Sequence, residues 1–249
     1  MSARRRHGGR NALLFIAALF ALWQAMFWAV GDAALSSPLA TLRYTADLVT
    51  GENFRMHLFD TMRAFAIAFV LSVVIGLLVG FWLGFDRLSG DALEPMIVTV
   101  YAIPKLTLYP ILLLAFGLGL SAKVAFGVLH GTIPIILFTL GAVRNTKPIL
   151  LKTGHVLKLS RPQMVRWILF PAAVPEIFTG LRVGFSLTLI GSLLAEMFAS
   201  QRGLGYLLMN GIGLHNIELV MSVTLLIVVF AASVSTLLLH IDRRLHRQE

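Results

Sequence analysis

Apolar residues in this chain fall in long, nearly unbroken runs, at about 12–30, 58–85, 93–119, 122–143, 172–199 and 217–240. Each run is near or above the roughly 20 residues an α-helix needs to cross a bilayer, and polar or basic residues separate them. The pattern predicts an all-α, polytopic membrane protein with about six transmembrane helices. A single membrane domain over 12–242 is expected between short tails at 1–11 and 243–249. The run after Arg4, Arg5, Arg6 and Arg10 exceeds the usual signal-peptide core of about 7–15 residues, so it is read as a retained first helix.

Two runs carry internal structure. The second places Ser72, Gly76, Gly80 and Gly84 at every fourth position, a small-residue stripe that lets another helix approach closely in lipid. The third is interrupted by Pro95, Pro104 and Pro110 and contains Lys105. Proline removes backbone hydrogen bonds, so this span is expected to be kinked or broken. Irregular backbone at membrane depth is tolerated only against protein or a water-filled cavity, which makes Pro104 and Lys105 candidates for lining a pathway. Between runs, 31–56 reads as a loop with a short helix, 86–91 as a turn, and 201–213 as a glycine-rich connection. Trp23, Phe27 and Trp28 read as interface anchors.

Composition agrees with this picture. Of 249 residues 57% are hydrophobic and only 13% charged, against roughly 25% charged in soluble domains, and mean hydropathy is +0.83. Cysteine is absent, which excludes disulfides and thiolate metal sites. The net charge of +9 sits at the ends of apolar runs, where it sets topology and meets anionic lipid rather than nucleic acid. With six spans, the N-terminal arginines, Arg87, the bases of 144–170, Arg243, Arg244 and Arg247 share one side. Only Arg43, Arg55, Lys123 and Arg202 fall on the other. The positive-inside rule then puts both termini and the 144–171 loop in the cytoplasm.

That loop holds Arg144, Lys147, Lys152, Lys158, Arg161 and Arg166 and no acid. Ser160 followed by Gln163 is a capping-box pattern, and Pro162 suits a first helical turn. A helix up to about Lys158 and a second from Arg161 to Pro171 are expected, forming a cytoplasmic hairpin able to dock a soluble partner or, alternatively, to lie on anionic lipid.

The stretch from Leu151 to Gly184 resembles the signature of binding-protein-dependent ABC importer permeases, in which a Glu-Ala-Ala triplet is followed by a Gly and an apolar-x-Leu-Pro ending. The nitrate, sulfonate and taurine subgroup is the most similar. Its features recur as Ile103-Pro104-Lys105 through Pro110, Phe116-Gly117-Leu-Gly119, Pro171 through Gly180-Leu-Arg182, Ala195-Glu196 and Gly203-Leu-Gly205. The resemblance implies a MetI-like type I fold in the bacterial inner membrane. It also implies a second permease subunit (homodimer or heterodimer), cytoplasmic ATP-binding subunits that hold ATP and Mg, and an external substrate-binding protein. The ATPase-coupling residues would be Gly154, His155, Leu157, Lys158, Ser160, Arg161 and Pro162, and the substrate a small oxyanion such as a sulfonate or nitrate. Two departures stand out: Lys152-Thr153-Gly154 occupies the Glu-Ala-Ala position and Lys158 that of the Gly. They fit either the atypical half of a heterodimer or a divergent branch.

No GxxxxGK[ST] loop is present, so ATP hydrolysis is assigned to a partner and no cofactor to this chain. No Ser-His-Asp set or paired carboxylates suggests an enzyme, and His130 and His215 lack metal-ligand companions. Glu196 is expected near the outer end of the fifth span, meeting a binding protein or a pathway base, or else partnering Arg202. Arg182 neutralises helix-end carbonyls, attracts an anion, or snorkels to the interface; Asp60 and Arg63 most simply pair. The competing reading is a secondary transporter or channel not driven by ATP.

Overall fold

In the computed structural model, residues 2–245 are described, the side chains of 2–13, 161, 199, 244 and 245 excepted. In chain order the helices are α1 (Ser2–Val30), α2 (Pro38–Thr50), α3 (Glu52–Phe85), α4 (Arg87–Ala102), a 3-10 turn (Lys105–Leu108), α5 (Tyr109–Phe116) and α6 (Leu120–Arg144). Then come α7 (Pro148–Val156), α8 (Arg161–Met164), a π-helical turn (Val165–Leu169), α9 (Phe170–Ala199), α10 (Leu204–Gly213) and α11 (Ile217–Leu245).

The core is α3, α6 and α9, brought close along two stripes of small residues. A Cβ on Gly76 would lie 2.6 Å from the Ile135 Cβ, one on Gly80 2.5 Å from that of Thr139, and one on Gly84 2.7 Å from that of Val143. Ser72 of the same stripe is fully buried, its hydroxyl beside Gly131. An adjoining face of α6 meets a second stripe on α9: Gly180 against Phe138, Gly184 against Ile135, Gly191 against His130. In lipid, where hydrocarbon does not drive apolar helices together, backbone approach of this kind supplies the association energy. Aromatic rings then tie on α11, with Phe185 edge-on to Phe65 at 5.1 Å and tilted to Phe230 at 6.4 Å.

Several boundaries differ from the sequence pattern, each for a local reason. Among the described residues four helices are long and apolar enough to span a membrane, and the bent pair α4 and 105–116 would make a fifth; Leu14–Val30 is a shorter apolar helix. The third run, expected to be kinked or broken, is folded by 88°. Pro104 lacks an N–H and forces Ile103 into extended backbone (φ −64, ψ 134), as the residue before proline requires. The expected turn at 86–91 shrinks to Asp86, since α4 starts at Arg87. The first helix, α1, begins at Ser2, within the stretch expected as a tail at 1–11.

The loop helix expected to stop at Pro171 instead runs into α9. The π turn, closed by the Phe170 N–H to the Val165 carbonyl, widens the backbone where the proline ring would otherwise meet a carbonyl. The glycine-rich connection contains α10, whose first N–H groups are capped from distant elements. Finally, α11 extends past 240 and carries Asp242.

Candidate functional site

Candidate functional side chains gather at the two ends of the bundle and at the break between α4 and the 3-10 turn. At the end remote from the α7–α8 hairpin, Glu196 is fully buried. Its Oε2 accepts from the Thr61 hydroxyl (2.7 Å) and the Gly205 N–H (3.1 Å), and its Oε1 lies 3.4 Å from the Lys123 ammonium. Lys123, only 5% exposed, also donates to the Arg202 carbonyl at 2.6 Å. The Gly203 N–H donates to His57 Nδ1 (3.0 Å) and the Leu204 N–H to Thr61 Oγ1 (2.8 Å).

Three successive N–H groups at the start of α10, which opens on Gly203 (φ 120), are therefore satisfied by α3 and α9 side chains, where a helix start would otherwise leave them without partners. Glycine is needed at 203, both for that φ and because a Cβ would strike the Glu196 carboxylate. Glu196 pairs with Lys123, not with the Arg202 side chain. Lys123, Thr61 and His57 were not singled out by the sequence, since each lies far along the chain from Glu196. The one available signal was the intramembrane charge of Lys123.

Above this knot lies a cavity of about 650 Å3, lined by Asp60, Arg63, Lys123, Gln201 and Arg202 together with the Leu118–Leu120 turn. Asp60 and Arg63 form no ion pair with each other among the described residues, contrary to expectation; both face this cavity instead.

At the break, Pro104 is exposed and Lys105 half-buried. The Lys105 ammonium turns back over the Tyr101 ring (4.6 Å) and donates to the Tyr101 carbonyl at 3.0 Å. It satisfies the end of α4, as a cation at a helix C-terminus does. One turn on, Tyr109 is buried and its hydroxyl donates to the Ala195 carbonyl at 2.7 Å, anchoring α5 to α9.

Towards the hairpin end, Arg182 lies 3.5 Å from the Asp242 carboxylate, which also accepts from the Thr179 hydroxyl at 3.1 Å. Arg182 thus ties α9 to α11, a partnership hidden in the sequence because Asp242 falls just past the last apolar run at 217–240. Arg144, the last residue of α6, forms ion pairs at 2.8 Å with both Asp91 and Glu94 of α4. Gly90 leaves room for that guanidinium.

The hairpin itself is tightly specified. Lys158 has φ +51, a left-handed conformation that costs a non-glycine residue roughly 1–2 kcal/mol. The Lys158 N–H bonds to the His155 carbonyl (3.0 Å) and the Leu159 N–H to that of Gly154 (3.1 Å), the paired closure of a Schellman motif. A glycine at this point, as in the permeases the loop resembles, would meet that need without strain.

Gly154 is buried, and a Cβ there would meet the Met164 sulfur, so this glycine lets α7 lie against the second arm. Gln163 accepts from the Ser160 N–H at 2.8 Å, one half of the capping box. His155 contacts the Leu151 carbonyl through Nδ1 at 2.8 Å, and Pro162 is exposed. The Arg161 side chain, like those of Arg4, Arg5, Arg6, Arg10 and Arg244, lies outside the described residues, as does the whole of Arg247. At the tip Val156 and Leu157 are 80% and 62% exposed.

Comparison with known proteins gives three findings. Residues 72–247 match the profile of the family described as binding-protein-dependent transport system inner membrane component. The chain is 33% identical over 205 residues to the riboflavin transport system permease protein RibX of Chloroflexus aurantiacus, covering 81% of this chain and 76% of that one. It is 29% identical over 200 residues to the nitrate import permease protein NrtB of Synechocystis sp., covering 77% and 72%. In fold it is similar to an inward-facing conformation of the MetNI methionine ABC transporter, with a TM-score of 0.62 over 75% of this chain and 93% of that one at 19% identity.

Proposed function

The chain belongs to the family of binding-protein-dependent transport system inner membrane components, and on that premise we propose how its parts divide the work of import. It is the membrane permease of an ATP-driven ABC importer rather than a self-sufficient channel or secondary transporter. The α7–α8 hairpin docks a cytoplasmic ATP-binding subunit, which holds and hydrolyses ATP with Mg. One observation carries this assignment: the exposed apolar tip Val156–Leu157 beside Lys152 and Lys158. An apolar centre with a charged rim is the anatomy of a protein interface.

The hairpin is well placed to pass on a push. Its first arm follows α6 after the short 145–147 link, and its second arm is continuous with α9. Any rigid displacement of the tip therefore reaches two of the three core helices directly, and hinged or sheared helices convert such displacements into opening and closing. A second permease subunit completes the pathway, with the Pro104 break and Lys105 facing it. Orientation by basic residues puts the hairpin and both chain termini in the cytoplasm. The Glu196 knot and the cavity above it then face outward, towards a substrate-binding protein. The substrate is a small oxyanion such as a sulfonate or nitrate. The named cargo of the NrtB relative and the basic lining of the outer cavity support that class.

Deleting 153–165, or reversing charge with Lys158→Glu, is expected to release the ATP-binding subunit from the detergent-solubilised complex while the spans stay inserted. Because lysine and glutamate carry the same Cβ penalty in the left-handed region, the point variant isolates charge from backbone strain. Unchanged co-purification of both variants would refute the docking assignment.

A further inference from the structure

We propose that the cavity above the Lys123–Glu196 knot is a receiving site for a small oxyanion, held between the guanidinium groups of Arg63 and Arg202. This rests on the importer reading and gives its substrate class a location. The cavity is about 650 Å3 and draws its walls from the start of α3, the Leu118–Leu120 turn and the 200–202 connection. That volume is in the range of small-molecule sites, about 300–1,000 Å3.

Its charge is one-sided. Among the described residues Asp60 is the only acid on the lining, against Arg63, Lys123 and Arg202. Lys123 is neutralised by Glu196 at 3.4 Å, but neither Arg63 nor Arg202 has an ion-pair partner among the described residues. A guanidinium presents two parallel donors that match the oxygens of a sulfonate or nitrate.

The buried knot explains why the loop holds this arrangement. Lys123 grips the Arg202 carbonyl at 2.6 Å, and the Ser200 hydroxyl contacts both the Arg202 N–H (3.1 Å) and its carbonyl (2.6 Å). The Arg202 backbone is thereby fixed while its side chain stays exposed. The α6 N-terminus at Gly119, which lacks a side-chain cap, adds partial positive charge of the same sign. A concave basic surface of this kind concentrates anions and repels cations.

The chain has no native cysteine, so one introduced thiol reports on the cavity alone. Gln201 is exposed and lines it. In the purified full chain with Gln201→Cys, in phospholipid-free detergent at low ionic strength, methanethiosulfonate labelling is measured with the anionic ethylsulfonate and the cationic ethyltrimethylammonium reagents. After normalisation to a small free thiol, the anionic reagent is expected to react about tenfold faster. Salt should shrink the ratio. Adding R63Q with R202Q should bring it to within about twofold of unity, whereas R63K with R202K retains most of it.

Millimolar ethanesulfonate or nitrate should slow labelling where equimolar chloride does not. Equal rates in the parent, an unchanged ratio in the glutamine pair, or protection by added phospholipid alone would overturn the proposal. No ATP or partner is needed, so its failure is separable from failure of the importer reading. A chain that imports with ATP yet shows no reagent preference rejects this site only. One that shows the preference but moves solute without ATP rejects the importer reading only.

Discussion

Lys158 shows how much a single backbone angle can decide. Its φ of +51 means that the glycine of the resembling permeases answers a conformational need at the end of α7, and that lysine occupies the position under strain. Lys158→Gly is expected to stabilise the hairpin by about 1 kcal/mol. That should slow amide exchange at Lys158 and Leu159 by about fivefold. Lys158→Ala removes the charge but keeps the Cβ and should leave exchange unchanged; faster exchange in the glycine variant would contradict the reading.

Other single residues were legible only in part. That Glu196 is an intramembrane acid could be read from the run around it, and that it needs a partner follows from the cost of burying charge. The partner itself could not be read. Arg202 is near in sequence, but Lys123 is the residue that α6 brings alongside.

Among the helices, periodicity was informative where packing is regular and silent where the chain bends. The Ser72–Gly84 stripe stands out because four small residues keep helical register, and α6 lies along it. The matching stripe on α9 is harder to see, because Gly180, Gly184, Thr188 and Gly191 shift register by one. The three prolines announced a broken third span, but not its 88° fold or the long-range bond by which the Tyr109 hydroxyl anchors α5 to α9.

The Arg144 clasp on Asp91 and Glu94 joins the helix that leads into the hairpin to the helix that leads into the break. It therefore belongs to transmission between them. With spin labels on cysteines at Leu88 and Lys152, Arg144→Ala should broaden the distance distribution, and Arg144→Lys, which cannot hold both acids as a planar fork, should broaden it less. A width unchanged in both variants would show that the clasp does not hold α4 in register with the hairpin.

For the molecule as a whole, composition sufficed to identify a helical membrane protein, because a chain with 13% charged residues cannot cover itself in water. The importer assignment needed more. The hairpin and its flanking motifs made it readable as a resemblance, and the family match over 72–247 carries it further; the MetNI-like fold agrees in architecture. The long-range polar contacts were out of reach, since each joins helices whose separation in sequence exceeds any local pattern.

The central claim is that the hairpin couples ATP hydrolysis elsewhere to movement of these helices. It is tested most directly by solute uptake into vesicles holding this chain, its ATP-binding subunit and its binding protein, with and without enclosed ATP. Val156→Asp with Leu157→Asp at the hairpin tip serves as the comparison. The account predicts uptake only with ATP, and loss of at least about tenfold in the tip variant, because two buried interface contacts are replaced by charges. Uptake that persists without ATP, or that the tip variant leaves intact, would contradict it.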